Sequence, residues 1–227
     1  MTSLSQYYEG SLYPLQNGVL SAVEICKTLF YLTGGTALSR AYYHHRYSDD
    51  LDFFVNNAPD FHEQVDQVFV KLKEEGFFWD EDIDFISRDR FVSFKIYRKE
   101  SDVKLKLDFV NDVAPHFGDL VKTEIFDRTD SIRNILSNKL TALFRFAGKD
   151  VADIREIALH ESIDWAEIIK EARYKEAGIE LSVAGDILKG IPQNAFEEVH
   201  WVNNPGWETF KSDIDKIIFD MMSVSNS

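Results

Sequence analysis

The sequence predicts an α+β protein: a mixed β-sheet with flanking helices in the first half, followed by an α-helical second half. Runs that alternate polar and apolar residues in strand fashion occur at 50–55 (DLDFFV), 91–98 (FVSFKIYR) and 104–110 (KLKLDFV). From about residue 130 these runs stop, and apolar residues recur at helical spacing over 131–147, 150–160, 164–173 and 207–222. The change of pattern sets an expected boundary near residue 126, with an α/β unit over 1–126 and a helical unit over 127–227. A crevice between two such units is a common place for a site.

Within the first half, residues 18–31 (GVLSAVEICKTLFY) have helical spacing and run through Leu32 and Thr33 into Gly34-Gly35, where a turn must lie. Residues 36–45 read as a short helix, 50–55 as a strand, and about 60–75 as a helix closed by Gly76. The runs 91–98 and 104–110 flank the polar turn KESD and read as a hairpin. In the second half, Pro192 and the segment NNPG at 203–206 break the helices into short pieces, and Trp201 and Trp207 are expected in a packed corner there.

Composition narrows the function. A chain of 227 residues with 44% hydrophobic and 28% charged content is an ordinary globular protein, which excludes collagen, a disordered tail and a membrane bundle. Lys+Arg 25 against Asp+Glu 39 gives −14, so the overall field repels nucleic acid and any polyanion must meet a local basic patch. Cys26 is the lone cysteine, which excludes an internal disulfide and a Cys-based zinc site and suggests a reducing compartment. No basic-then-apolar leader opens the sequence and no window approaches the ~18 apolar residues of a membrane span. The expectation is a cytoplasmic protein with no membrane partner.

Strand alternation gives each acidic strand a core side and a chemical side. Asp50 and Asp52 project one way and Leu51 and Phe53 the other, while Lys104, Lys106 and Asp108 share a face opposite Leu105, Leu107 and Phe109. Carboxylates at i and i+2 repel each other and suit hard cations such as Mg²⁺ or Mn²⁺, and a third from a neighbouring strand makes a cluster able to hold two ions for in-line phosphoryl or nucleotidyl transfer. An isolated Asp-x-Asp more commonly marks a solvated strand end. Its company here is Gly34-Gly35-Thr36 ahead of a helix, where backbone N–H groups and the helix dipole suit phosphate oxygens. Thr36 either adds a hydroxyl to that cradle or caps the helix. Arg46 either locks the strand entrance, touches a phosphate or pairs with Asp49.

On the helix beginning near residue 131, Ile132, Ile135, Leu136, Leu140 and Leu143 form one stripe, and Lys139 falls inside it. An inward lysine must either snorkel to water or meet an anion, and the expectation is that it reaches across the interdomain cleft to a nucleotide's phosphates. Arg145 is expected on the far side of this helix. Asp150 is expected to cap the next helix, with Asp153 at its third position. His44 and His45 point to different helix faces and lack an i+4 partner for zinc, so they are expected at the surface or near phosphate.

The string GGTALSRAYYHHRYSDDLDFFV (34–55), with Asp108 on a later strand, resembles the signature of the AbiEii/AbiGii toxin family, a branch of the DNA polymerase β-like nucleotidyltransferases. The lead-in Arg46-Tyr47-Ser48-Asp49-Asp50 and the blocks KLTAL (139–143) and KDVADI (149–154) extend the likeness over residues 34–154. Gly35 stands where the superfamily commonly has Ser, so Thr36 or Ser39 must supply any hydroxyl contact. The resemblance implies a polymerase β-like sheet, with the helical unit closing the nucleotide cleft. It further implies NTP as substrate and Mg²⁺ or Mn²⁺ on Asp50, Asp52 and Asp108, with Asp108 also helping to deprotonate the acceptor. The nucleotide is expected against Gly34, Gly35, Thr36, Ser39, Arg46 and Lys139, with further roles for Lys139 and Asp150 in catalysis. The acceptor expected from the resemblance is an RNA such as tRNA, or a protein, in a toxin–antitoxin or phage-defence pair with a possible cognate antitoxin. A catalytically inactive binding module and a small-molecule (antibiotic) nucleotidyltransferase are the alternatives.

Overall fold

A computed structural model describes residues 3–99 and 101–223; Glu100, within the KESD turn, lies outside them. The chain forms two units. The first comprises the chain up to Tyr42, Tyr47–Val113 and Asp119–Asp130, and the second comprises Tyr43–Arg46, Ala114–Gly118 and the chain from Ser131. Two short segments from the first half of the sequence are therefore built into the second unit.

The first unit opens with helix α1 (Leu4–Tyr7), where Ser3 and Gln6 form a capping box, and continues through a π-helical turn (Tyr8–Leu12) into α2 (Tyr13–Ile25). The helix expected over 18–31 thus starts earlier and stops at Ile25. Lys27 takes φ 55, which helical geometry forbids, and Tyr31–Thr33 extend as strand β1 because they pair with β2 (Leu51–Asn56). Between them, Gly34–Thr36 make a single turn, α3, and Ala37–Tyr43 continue as a π-helix, so the helix expected over 36–45 is wider than α-helical for most of its length. Helix α4 spans Phe61–Glu74. Strands β3 (Phe78–Trp79), β4 (Ile86–Arg88), β5 (Phe91–Tyr97) and β6 (Lys104–Asp112) follow, β3 and β4 being too short to show a readable alternation.

Among the described residues the sheet order is β1-β2-β6-β5-β3, with β4 also on β5. β2 and β6 are parallel and the other pairs antiparallel, so the sheet is mixed, and β5 with β6 is the expected hairpin. Leu51, Phe53, Phe94, Leu105, Leu107 and Phe109 are fully buried on one face, where the Phe53 and Phe109 rings stack at 5.2 Å. Burial of each such side chain is worth about 1.5–3 kcal/mol. The opposite face is thereby left to the polar residues between them.

The second unit is helical: α5 (Ile132–Ala142), α6 (Gly148–His160), α7 (Trp165–Lys175), α8 (Leu181–Gly190), α9 (Gln193–Glu197) and α10 (Trp207–Ser223). Ser131 caps α5 by accepting from the Asn134 N–H, and Asp164 caps α7 by accepting from the Glu167 N–H. The helix expected over 131–147 ends at Ala142 in a 3₁₀ turn (Leu143–Arg145), and Phe146 at φ 53 turns the chain into α6. Trp201 and Trp207 both pack on Phe196, at 5.2 and 5.6 Å between ring centres, which is the packed corner expected beside NNPG.

Gly148 opens α6 directly against α9, and a Cβ there would fall on the Ala195 carbonyl oxygen. Backbone cannot move aside as a flexible side chain can, so overpacking of this kind costs about 1–3 kcal/mol. Gly148→Ala is expected to lower the melting temperature by several degrees, read by circular dichroism. An unchanged melt would show that α6 and α9 do not approach in this way.

Candidate active site

The register of the sheet assembles a polar row across four strands. Thr33 on β1 pairs with Asp52 on β2, Asp52 with Asp108 on β6, and Asp108 with Ser93 on β5. Directly opposite residues share a face, and adjacent strands lie about 4.8 Å apart, so Asp52 and Asp108 are immediate neighbours on the face away from the phenylalanine core. Asp50 directly precedes Leu51, the partner of Leu107, and so enters the sheet beside Lys106. The ends of the row are fixed: Thr33 Oγ1 donates to the buried Asp130 Oδ2 at 2.5 Å, and Ser93 Oγ donates to Asp108 Oδ1 at 2.6 Å.

The glycine turn closes on this row. Gly34 has φ +69, in the left-handed region, and a Cβ at that position would lie on the Asp52 carboxylate. Glycine is required twice over, for the backbone conformation and for the close approach. Thr36 is fully buried, its hydroxyl donating to the Asp50 carbonyl oxygen and standing 2.9 Å from Ser48 Oγ, so it ties the turn to the start of β2. Thr36 is not the helix cap the sequence allowed, since Thr33 holds that position, and its hydroxyl is engaged in local anchoring. Ser39 is also buried, and its hydroxyl finds no partner among the described residues.

Lys106 is bonded to Asp108 and lies within the charge influence of Asp50 and Asp52. Its Nζ donates to Asp108 Oδ2 at 2.5 Å. Partial burial pulls the Lys106 ammonium toward its neutral form, but the hydrogen bond and charge of Asp108, with Asp50 and Asp52 behind it, outweigh this and leave its pKa above the ordinary lysine value. Among the described residues no three His, Cys, Asp or Glu side chains converge as a ready-made metal cage. The donor set itself is chemically suited to a hard divalent cation: aspartate oxygens on one sheet face, two of them in direct register, with Asp108 oriented from behind by Ser93.

The second unit holds a buried ionic network of its own. Asp153 is fully buried, and Arg46 grips it in bidentate fashion, Nε to Oδ1 at 2.7 Å and Nη2 to Oδ2 at 2.8 Å. His45 Nε2 lies 2.8 Å from Oδ1, and Lys139 Nζ donates to Oδ2 at 2.6 Å. Lys139 also donates to Asp150 Oδ1 at 2.7 Å, and Arg145 Nη2 donates to Asp150 Oδ2 at 3.0 Å. Burial pushes the Asp153 carboxyl up, but the charges of Arg46 and Lys139 and the hydrogen bonds of His45 and Arg46 dominate and hold it well below the usual carboxylate range. The His45–Arg46 segment is itself tied in, with the His45 carbonyl accepting from the Val202 N–H and Arg46 bridging to Trp201.

The family described as nucleotidyl transferase AbiEii toxin, type IV toxin–antitoxin system, matches residues 19–220. This chain belongs to that family. It is a nucleotidyltransferase of the AbiEii toxin class. Comparison with curated proteins finds no match. Among solved structures it is similar to JHP933 from Helicobacter pylori, at 22% identity and a TM-score of 0.65 over 99% of this chain and 97% of that one. It is also similar to MenT4, a nucleotidyltransferase toxin from Mycobacterium tuberculosis, at 16% identity and a TM-score of 0.67 over 97% of this chain and 86% of that one. At these identities the likeness is one of fold.

Several expectations change. Asp150 is not the cap of α6: Ala147 is, and Asp150 is the third helical residue, its carboxylate drawn inward by Lys139 and Arg145. Arg145 does not point away from this cluster, because the 3₁₀ turn after Ala142 swings it onto Asp150. His45 is a buried partner of Asp153, whereas His44 is exposed at φ 53. Arg46 grips Asp153, while the exposed Asp49 accepts from the Tyr8 hydroxyl at 2.5 Å. Lys139 is buried in the stripe as expected, with both Asp150 and Asp153 on its ammonium. Asp153, Ser93 and Lys106 are contacts the candidate set lacked; Lys106 had a signal, two residues from Asp108 on the same strand face.

Removing one partner from a buried ionic network leaves the others uncompensated, at a cost of about 3–5 kcal/mol. Asp153→Asn is expected to destabilise the protein by that amount in urea unfolding. Because the folded-state pKa of Asp153 is depressed, its contribution is complete above the unfolded value of about 3.9 and fades as pH falls from there toward the folded value. The acid loss of stability below about pH 4 should accordingly be shallower in the Asn variant than in wild type. Parallel pH profiles would refute this assignment.

Proposed function

We propose that this nucleotidyltransferase moves a nucleoside monophosphate from an NTP to a hydroxyl of an RNA, such as tRNA, or of a protein, as the toxin of a toxin–antitoxin or phage-defence pair in the cytoplasm. The observation that carries the reading is the placement of Asp52 and Asp108 as register partners, with the glycine turn seated on Asp52. Family membership supplies the reaction class, and the arrangement supplies residues for it.

Asp50, Asp52 and Asp108 would hold a divalent cation, Mg²⁺ or Mn²⁺, which when bound would supply Lewis-acid stabilisation of phosphate charge. Gly34 and Gly35 let the backbone approach the β,γ-phosphates without steric conflict, and the N–H groups of the helical turn they open favour their charge. Asp108, aimed by Ser93, takes the proton of the acceptor hydroxyl. The acceptor oxygen forms its bond to the α-phosphorus as the α,β-bridging bond opposite breaks, and pyrophosphate leaves. Lys139 and Asp150 contribute through the buried network that anchors Arg46, four residues ahead of Asp50 in the chain.

The reading is tested by incubating the purified protein with each α-labelled NTP in turn, in the presence of total RNA or protein extract. Wild type is expected to label one acceptor class, and Asp52→Asn to lose at least about 100-fold of that transfer. The variant's circular dichroism should match wild type, since Asp52 is at the sheet surface. Equal labelling by the two proteins removes the catalytic assignment.

A further inference from the structure

Three carboxylates on one sheet face repel one another unless a cation lies among them, and this chain carries one of its own. Lys106 sits two residues before Asp108 on β6, between Leu105 and Leu107, both fully buried. Its backbone is held on both sides, since Lys106 pairs with Lys95 on β5 and the adjacent Leu107 pairs with Leu51 on β2. Only the four-carbon stem is free to move. The side chain is 39% exposed against 14% for Asp108, so the ammonium is the more open of the two to water.

The two oxygens of Asp108 are held differently. Oδ1 accepts from Ser93, which is 4% exposed and lies in the middle of β5, while Oδ2 accepts from the part-exposed lysine. If the lysine swings out, Oδ2 is released with its orientation already set by Ser93. The charges of Asp50 and Asp52 act on Lys106 as well, so the ammonium and an incoming cation are drawn to the same place.

We propose that Lys106 is a tethered counter-ion that holds Asp108 in the ligand-free protein and must yield its oxygen when a divalent cation enters, so that it sets how tightly the aspartates take metal. This rests on the metal-dependent reading above. Lys106 is a positioning residue in this scheme: it keeps Asp108 on the sheet face, balances the cluster in the resting state, and weakens metal binding by competition. A strong metal site would stay filled at any intracellular Mg²⁺ level, whereas a self-competed one fills best when the triphosphate brings additional charge to it.

The test is calorimetric titration of MnCl₂ into the full-length protein without nucleotide, using wild type, Lys106→Met, Lys106→Gln and Lys106→Arg. Loss of the competing charge is expected to tighten Mn²⁺ binding about fivefold in the Met and Gln variants, the equilibrium weight of a partly exposed ion pair, while the Arg variant does not tighten it. Loss of a merely structural lysine would weaken binding or leave it unchanged, so the direction of the change separates the two roles. The Gln variant, which keeps a polar end group, stands in if Met impairs folding. Unchanged or weaker Mn²⁺ binding in both neutral variants overturns the role of Lys106 and leaves the metal-dependent reading intact. Absence of Mn²⁺ binding from all four proteins overturns both.

Discussion

Parallel pairing of β2 with β6 is the constraint on which the chemistry of the first unit depends. Because side chains alternate with period two, a slip of one residue would carry Asp108 into the phenylalanine layer and Leu107 onto the polar face. The apolar positions prevent the slip: Leu51, Phe53, Leu107 and Phe109 are buried without remainder, and moving them to solvent would cost more than any carboxylate contact could return. The core thus specifies the site indirectly. Asp52 and Asp108 meet because their neighbours must be buried, although the two like charges oppose the meeting.

The same logic explains why the glycine turn is where it is. β1 has three residues and ends at Thr33, opposite Asp52, so the chain must leave the sheet at the level of the carboxylate row. A residue with a side chain at position 34 would collide with Asp52 and would be strained at φ +69 besides. Thr36 then fastens the returning turn to the backbone just before β2. Turn, strand end and carboxylate form one unit of local structure.

Much of this was legible in the sequence, for a physical reason. The strands that carry Asp52 and Asp108 alternate polar and apolar residues around those aspartates, and alternation encodes both strand identity and face. The glycine pair, the hairpin and the inward position of Lys139 follow from equally local rules. What could not be read depends on contacts far apart in sequence. Asp153 lies 107 residues beyond Arg46, and no periodicity links them. The 3₁₀ break after Ala142 turns on Phe146 in a left-handed conformation, which a phenylalanine does not advertise. β1, β3 and β4 are two or three residues long and exist because a partner strand pairs with them.

Charge is arranged in opposite ways in the two units. On the sheet face of the first, Asp108 is bound by the partly exposed Lys106, on which the charges of Asp50 and Asp52 also act. In the second, Asp150 and Asp153 meet Arg46, Lys139 and Arg145, with both carboxylates completely buried and every carboxylate oxygen occupied. A buried network of that kind is expensive to break and gives little stability over an apolar replacement, so its value lies in fixing geometry. The two units thus use ionic side chains differently: a fully buried, doubly gripped pair of carboxylates in the second, and a part-exposed lysine–aspartate pair on the sheet face of the first.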